Sequence, residues 1–340
     1  MDNRTRFHNT MAGRPVDRLP VIEWAGWWDQ TIARWREEGL PRELSDAGEI
    51  REYLGLDVYR QYWIGPMKPS FPRGGIYEHG PVTDLASYRE VRQHLYPEDA
   101  FDKQRLEGWA ERQARGEMVV WISLDGFFWF PRKLFGITPH LLAFYDRPEL
   151  MHIINQDLLA YNLRVLDEVC AICRPDFMTF AEDMSYNKGP MISRTLFDEF
   201  IAPYYREIIP RVRCYGIIPF IDTDGDITRL VPWFAAVDVH GFLPLERQAG
   251  VDVVVLRAAH PQIKLIGGYD KMVMNRGEAA MRAEFERLLP LMRQGGYIPS
   301  CDHQTPPGVS LAEYRIYVSL LKEYATRAAA ESTVLGGTLS

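Results

Sequence analysis

The sequence has few cysteines, no long apolar run and no apolar stretch at its start. Its four cysteines are too few for a disulfide framework in a chain of 340 residues, and they predict free thiols in a reducing compartment. No window comes near the roughly eighteen consecutive apolar residues of a membrane-spanning helix. Residues 1–7 are polar, which is atypical of a secretory signal peptide. We therefore expect a cytoplasmic protein with no membrane partner.

The chain also lacks an excess of positive charge. Its 39 lysines and arginines stand against 46 aspartates and glutamates, so the net charge is −7, and the basic residues are scattered among acids. A nucleic-acid partner needs a basic stripe or patch, and we exclude it. Hydrophobic residues make up 46% of the chain and aromatic residues 12%, enough for a large core and for an aromatic-lined cavity.

Short β-branched or aromatic runs alternate with longer helical patterns from residue 118 onward, which is typical of βαβ units around a parallel sheet. The predicted strands cover residues 118–124, 177–180, 217–221, 237–242, 263–267 and 296–299. Earlier runs at 19–23 and 57–63 bring the number to eight, and eight such units make a (β/α)8 TIM-type barrel. An open doubly wound sheet is the alternative, but its glycine-rich phosphate loop is missing from the sequence.

The alternation predicts one α/β domain over residues 1–330. Residues 64–117, rich in proline, glycine and charge, are interpreted as an excursion that could cover one end of the barrel as a lid. Residues 331–340 are expected to form a flexible polar tail.

The active site of such a barrel lies where the strands end, because the loops after all strands converge there. Polar residues follow most of the predicted strands: Asp125, Glu182, Asp183, Asp222, Asp224, His240, Glu246, Tyr269, Asp270, Cys301, Asp302 and His303. So many acids beside two histidines and a thiol predict an acid–base or metal site. His240 has a second interpretation, as a hydrogen-bonded core histidine.

Two short motifs indicate a metal. Asp222 and Asp224 are two residues apart near a strand end, so both carboxylates can face one ion, although the same residues suit a turn that opens a helix. Cys301 and His303 follow the last strand and offer the sulfur and nitrogen ligands that zinc accepts, or else a buried thiol beside a loop histidine. Zinc is the expected ion.

Two dense aromatic runs follow strand-like segments. Trp24, Trp27 and Trp28 form the first run, and residues 127–130 form the second. Four consecutive aromatic residues cannot all face a core, so we favour walls that stack on a flat ligand over a packed lid.

Motifs that resemble a known family run through most of the chain. They are residues 11–21, 182–190, 192–193, 224–227, 244–246, 249–252, 267–271, 295–298, 302–303 and 306–307. Together they resemble the uroporphyrinogen decarboxylase-like superfamily, whose members are (β/α)8 barrels. True decarboxylases of this superfamily carry an N-terminal R-Q-A-G-R segment that binds propionate carboxylates, and residues 23–29 lack it. The chain therefore resembles the other branch, the cobamide-dependent methyltransferases.

The resemblance implies a methyltransferase that moves a methyl group between a small molecule, as donor or acceptor, and a corrinoid carried by a partner protein. The H-x-C pair of thiol-methylating members corresponds to Asp222 and Asp224, and Cys301 matches their last zinc ligand. The aromatic runs suit a methoxy-aromatic substrate and O-demethylation. A metal-free decarboxylase of a carboxylated pyrrole or aromatic acid is the alternative function. A binding protein that lacks catalytic turnover is a further alternative. The sequence is also compatible with a homodimer.

These arguments give the candidate residues three roles. The catalytic candidates are Glu182, Asp183, His240 and His303. The metal-ligand candidates are Asp222, Asp224, Glu246 and Cys301. The substrate-binding candidates are Trp24, Trp27, Trp28, Phe128, Trp129, Tyr186 and Tyr269.

Overall fold

A curled parallel β-sheet forms the centre of the molecule. The computed structural model describes residues 1–72 and 78–336, with side chains through Glu331. The strands, in chain order, are β1 (Tyr59–Ile64), β2 (Val119–Asp125), β3 (Phe177–Ala181), β4 (Ser185–Tyr186), β5 (Gly189–Pro190), β6 (Ile218–Asp222), β7 (Gly241–Leu243), β8 (Lys264–Tyr269) and β9 (Tyr297–Cys301). Seven of them pair in parallel in the order β1-β2-β3-β6-β7-β8-β9, and β4 and β5 form a small antiparallel hairpin.

Helices alternate with these strands. They are α1 (Asn3–Met11), α2 (Asp29–Glu37), α3 (Ala47–Tyr53), α4 (Leu85–Arg92), α5 (Lys103–Ala114), α6 (Trp129–Phe135), α7 (Ile137–Asp146), α8 (Pro148–Ile172), α9 (Arg194–Phe200), α10 (Ala202–Cys214), α11 (Val231–Ala235), α12 (Val253–Ala259), α13 (Glu278–Met292) and α14 (Leu311–Gly336). Ser193 caps α9, since its hydroxyl accepts a hydrogen bond from the N–H group of Leu196. Within the described residues, no helix combines the length and the apolar character needed to cross a bilayer.

The predicted α/β architecture with a parallel sheet is confirmed, whereas closure into an eight-stranded barrel is not. Seven predicted strands form, and the run at 237–242 is shortened to Gly241–Leu243. The segment 19–23, predicted as the eighth strand, joins no ladder. Pro20 within it has no N–H group to donate, which is unfavourable in the middle of a sheet.

Side-chain hydrogen bonds hold this segment against both edges of the sheet. The N–H group of Val21 donates to Oδ2 of Asp57, just before β1. At the other edge, the hydroxyl of Ser300 in β9 donates to Oε1 of Glu23 at 2.6 Å. The segment therefore contacts the chain at both edge strands without forming a strand of its own.

Side chains of the strands alternate between two faces. Val120 packs in the large core cluster with the helices, whereas Val119 and Trp121 lie in a second cluster on the opposite, inner face. Helix α1 closes the N-terminal end of the inner face, since the ring of Phe7 lies 5.1 Å from that of Phe177. Polar residues at inner positions near the strand ends are thus free to form a site at the C-terminal end, which we call the mouth.

The predicted excursion, residues 64–117, divides into two parts. Residues 73–77 lie outside the described residues. The N–H group of Gly80 donates to the carbonyl of Phe135, so this part of the excursion covers α6. Helix α5 instead packs against β2 and α8 and belongs to the helical layer.

The predicted tail also begins inside a regular element. Helix α14 continues through Gly336, so residues 331–336 are helical. Residues 337–340 lie outside the described part of the chain.

Candidate active site

Three polar side chains meet where strands β6, β7 and β9 end. Asp224 follows β6, Glu246 follows β7 and His303 follows β9. One potential ligand atom from each lies within 4.8 Å of the others, and all three residues are partly exposed. Nε2 of His303 lies 3.6 Å from Oδ2 of Asp224. We refer to these three residues as the acid–histidine group.

Hydrogen bonds to the backbone fix this group in place. Oε2 of Glu246 accepts a hydrogen bond from the N–H group of Gly225 at 2.9 Å, and Oδ1 of Asp183 accepts one from the N–H group of Asp224 at 3.3 Å. Gly225 has a φ of +79°, and a Cβ atom there would lie 2.6 Å from the backbone of Tyr186, so this turn requires glycine. No group among the described residues donates a hydrogen bond to the second carboxylate oxygen of Glu246 or of Asp183. Both oxygens are therefore available to a ligand.

Carboxyl groups crowd the mouth and shift one another's protonation. Burial, together with the charge of Asp224, raises the pKa of Asp183 to about 6. Burial also raises the pKa of Asp222 well above its ordinary value, and the charges of Asp183 and Asp224 act in the same direction. The Asp224 carboxylate raises the pKa of His303. The crowding and burial at the mouth therefore favour the protonated forms of Asp183, Asp222 and His303 relative to the same groups in water.

The acid–histidine group has the dimensions of a divalent-cation site. The 3.6 Å between His303 and Asp224 is too long for a hydrogen bond, but two ligands that are each about 2.0–2.2 Å from one zinc ion lie roughly 3.3–3.6 Å apart. Two carboxylates and one imidazole suit zinc, manganese or iron(II). Asp222 was also predicted as a ligand. The charge of Asp224 raises the pKa of Asp222, but Asp222 is not a member of the three-residue group.

The predicted thiolate ligand, Cys301, does not join the group. It lies in the cluster of β9 side chains that face the helices, with Tyr297, whereas Ile298 of the same strand faces the inner side. Its Sγ atom is fully buried, 3.8 Å from Oγ1 of Thr305, and burial raises the pKa of the thiol. The prediction of Cys301 is corrected: in a strand, alternate residues face opposite sides, and Cys301 occupies the outer one. His303, predicted as catalytic, lies in the acid–histidine group instead.

Glu182, predicted as a catalytic residue, has its carboxylate occupied by neighbouring loops. The group is fully buried and accepts hydrogen bonds from the N–H groups of residues 127–129 at 2.7–3.1 Å and from the hydroxyl of Tyr205 at 2.5 Å. Burial raises the pKa of Glu182 to about 7, and the four donors act against this rise. A Cβ atom on Gly126 would lie 2.2 Å from Cδ of Glu182. Glu182 therefore fixes the loop after β2 and the start of α6.

The β1–β2 side of the mouth contains Asp125, which the sequence analysis named, and three side chains that it missed, Trp63, Arg132 and Lys133. Asp125 ends β2 and is fully buried, and its oxygens accept hydrogen bonds from Nζ of Lys133 at 2.5 Å and from Nε1 of Trp63 at 3.3 Å. Arg132 donates to the carbonyl oxygen of Asp183 at 3.0 Å. Trp63 was detectable as an aromatic residue near the end of a predicted strand. The two basic residues were not, because only the turn after β2 directs them back over the sheet.

Aromatic side chains line the mouth, although fewer than predicted. Those that are exposed or partly exposed at this end are Trp24, Trp28, Trp63, Trp129 and Tyr186. The ring of Trp24 lies 6.3 Å from that of His303, edge to face. The guanidinium of Arg132 lies over the ring of Trp129 at 5.0 Å. The first contact joins the aromatic lining to the acid–histidine group, and the second joins it to Arg132, which binds the carbonyl of Asp183.

Four further predicted site residues lie elsewhere and are corrected. Trp27, Phe128 and Tyr269 are at most 5% exposed and belong to the core cluster shared with the helices. His240 lies at the N-terminal end of β7, opposite the mouth, because this strand begins only at the following residue. Its Nε2 atom lies 3.4 Å from Oδ1 of Asp238.

Comparisons with known proteins concern the family and the fold. A model of the family described as uroporphyrinogen decarboxylase (URO-D) matches residues 140–324, more than half of the chain. The chain belongs to this family. A methyltransferase from Methanosarcina mazei is similar in structure, with a TM-score of 0.65 and 14% identity over 95% of this chain and 99% of that chain. A fungal β-1,4-galactanase aligns with a TM-score of 0.43 and 10% identity over 86% of this chain and 97% of its own. No curated protein matches the chain in sequence.

The URO-D match covers the acid-rich side of the mouth. The matched residues include Asp183, Asp222 and the whole acid–histidine group. Trp24, Trp63 and Trp129 precede the matched region. The acids therefore lie in the region that the family model describes, whereas most of the aromatic lining comes before it.

Proposed function

We propose that the chain is a methyltransferase that moves a methyl group between a small substrate and a corrinoid carried by a partner protein. The observation that carries the proposal is the acid–histidine group, with three ligand atoms within 4.8 Å of one another at the end of the sheet where barrel enzymes bind their substrates. Membership of the URO-D family and a fold similar to that of a methyltransferase support it.

Asp224, Glu246 and His303 would hold a divalent cation, with zinc as the first candidate. When bound, such a cation supplies Lewis-acid polarisation of the substrate heteroatom. Two carboxylates and an imidazole form a harder ligand set than thiolates, and hard ligands accompany oxygen chemistry more often than sulfur chemistry. We therefore propose an ether oxygen as the reacting atom of the substrate.

The surroundings of the group suit a flat substrate. Trp24 borders His303, and the ring of Trp129 lies beside Arg132, so a planar molecule can stack at the mouth. Asp183, with a pKa of about 6, can release or take up a proton at the substrate oxygen near neutral pH. These features support a methoxy-aromatic substrate and O-demethylation.

The test combines metal analysis with a methyl-transfer assay. The protein is dialysed exhaustively, loaded with zinc and incubated without oxygen with a methoxy-aromatic acid and cob(I)alamin, and methylcobalamin formation is followed by absorbance. We expect transfer by the wild type and loss of both zinc and transfer in Asp224→Ala. Cys301→Ala is the matched control, because its thiol lies outside the group.

Two results would contradict the proposal. Zinc retained equally by Asp224→Ala and the wild type would rule out the acid–histidine group as the metal site. Zinc binding without methyl transfer would rule out the methyltransferase, if it holds both for methoxy-aromatic acids and phenol ethers with cob(I)alamin as acceptor and for thiols with methylcobalamin as donor.

A metal-free decarboxylase is the second candidate, and the protonation of Asp183 and Asp222 favours it. Both carboxyl groups have a raised pKa, so one of them can protonate the carbanion that remains when carbon dioxide leaves. The test is carbon dioxide release from carboxylated pyrroles and aromatic acids in the presence of a chelator. Release that is lost in Asp183→Asn would favour this candidate over methyl transfer.

A further inference from the structure

We propose that Asp302 is a positioning residue that sets the distance between Glu246 and His303, and thereby the cation affinity of the acid–histidine group. This inference rests on the proposed function, because it assumes that the group binds a cation. Asp302 is fully buried and precedes His303 directly in the chain.

Asp302 connects the three loops that follow β7, β8 and β9. Its Oδ2 atom accepts a hydrogen bond from the N–H group of Arg247 at 3.0 Å, and its Oδ1 atom accepts one from the N–H group of Lys271 at 3.2 Å. Its own N–H group donates to the carbonyl of Tyr269 at 2.8 Å. Arg247 is the residue after Glu246, so Asp302, itself the neighbour of His303, binds the chain neighbour of a second member of the group.

Both oxygens of the Asp302 carboxylate accept hydrogen bonds from neighbouring loops. Nζ of Lys271 lies 3.2 Å from Oδ1 and also donates to Oε1 of Gln248 at 2.7 Å. The ammonium neutralises the carboxylate, and it is itself only 13% exposed in its side chain. Asp302 therefore acts through the backbone of its neighbours and not as a ligand.

The backbone before Glu246 shows why a tether is needed there. Leu245 has a φ of +73°, a left-handed conformation that is unfavourable for a branched side chain. Such a conformation persists only where surrounding contacts enforce it. The hydrogen bond from Arg247 to Asp302 is one of these contacts, and without it the loop can relax and carry Glu246 away from His303.

The test uses Co²⁺ as the probe, because its visible absorption reports ligand number and geometry. Affinity and spectrum are measured for the wild type, Asp302→Asn and Asp302→Glu. Asn keeps the shape but replaces one acceptor by a donor, while Glu keeps the charge and moves the oxygens. We expect both variants to bind Co²⁺ about ten- to a hundredfold more weakly and with an altered spectrum.

Asp176→Asn is the matched control for stability. Asp176 is equally buried and accepts a hydrogen bond from the N–H group of Val120, but it precedes β3 at the opposite end of the sheet. We expect it to lower the unfolding midpoint without changing the Co²⁺ affinity or spectrum. The comparison separates loss of stability from loss of position.

The outcomes distinguish the inference from the proposed function. Wild-type affinity and spectrum in Asp302→Glu would show that only the charge matters and would overturn the positioning role. The same result in a folded Asp302→Asn protein would overturn it as well. If the wild type binds no Co²⁺, the proposed cation site is wrong, and the inference about Asp302 is wrong as well.

Discussion

The contact between Gly126 and Glu182 gives the most sharply defined prediction. A Cβ atom on Gly126 would lie 2.2 Å from Cδ and 2.5–2.6 Å from the two carboxylate oxygens of Glu182. Non-bonded carbon atoms normally stay about 3.5–4.0 Å apart, so the carboxylate must move by roughly 1 Å or more. The substitution Gly126→Ala therefore breaks the hydrogen bonds that Glu182 accepts from residues 127–129.

The magnitude follows from the donors that lose their partner. Three N–H groups bind Glu182 at 2.7–3.1 Å, and each buried N–H group left without an acceptor costs about 1–3 kcal/mol. Allowing for partial relaxation, we expect Gly126→Ala to lower the free energy of unfolding by about 3–5 kcal/mol, at the upper end of single-substitution effects. The assay is urea unfolding followed by circular dichroism at pH 7.

The same substitution elsewhere should have the opposite sign. Gly108 lies inside α5, and a Cβ atom there meets nothing within 4 Å. Gly108→Ala should therefore raise the free energy of unfolding by about 0.5–1 kcal/mol. In a Glu182→Ala background, Gly126→Ala should cost less than about 1 kcal/mol, because the clashing group is gone. A Gly126→Ala protein that unfolds at the wild-type urea concentration would refute the reasoning.

Three other changes test the mouth and its surroundings by equilibrium unfolding. The pKa of Asp183 is about 6 in the folded chain and 3.8 in the unfolded chain, so the folded chain binds this proton more tightly. The free energy of unfolding should therefore fall by up to about 3 kcal/mol as the pH rises from about 4 to 6. Asp183→Asn should remove this part of the pH dependence, and equal slopes in both proteins would contradict it. Trp27→Ala should lower the free energy of unfolding by about 3–5 kcal/mol and Trp28→Ala by less than about 0.5 kcal/mol, since Trp27 is 5% and Trp28 46% exposed. Similar losses in the two variants would count against the placement of Trp27 in the core. Lys133→Met should cost about 2–4 kcal/mol by leaving the buried Asp125 carboxylate without its cation, and a loss below about 0.5 kcal/mol would argue against this ion pair.

The sheet was largely predictable because each buried strand is a short apolar run bounded by polar turns. The runs at 177–180 and 217–221 differ from β3 and β6 by a single residue at one or both ends. The segment 19–23 has the same composition, but Pro20 cannot donate to a ladder, and the side chain of Asp57 binds the N–H group that a strand would offer. Composition alone does not show which side chain competes with a ladder.

The site was predictable in its location and less so in its members. Asp224, Glu246 and His303 come together because each follows a strand, which the order of the runs already indicates. The prediction of Cys301 as a ligand is wrong because the last residue of a run can face either side of the sheet. Only the register of the strand determines which side it faces. The prediction for His240 is wrong because its strand begins at Gly241, four residues after the start of the predicted run, so His240 lies at the opposite end of the sheet.

The carboxylates of the mouth also limit how the loops can change. Barrel enzymes vary their specificity by exchanging individual loops after the strands. Here Glu182 binds N–H groups in the loop after β2, Asp183 and Glu246 bind those in the loop after β6, and Asp302 binds those after β7 and β8. A loop transplanted alone would leave an N–H group or a carboxylate of its neighbour without a partner. Redesign of the mouth for a new ligand should therefore exchange a loop together with the acid that binds it.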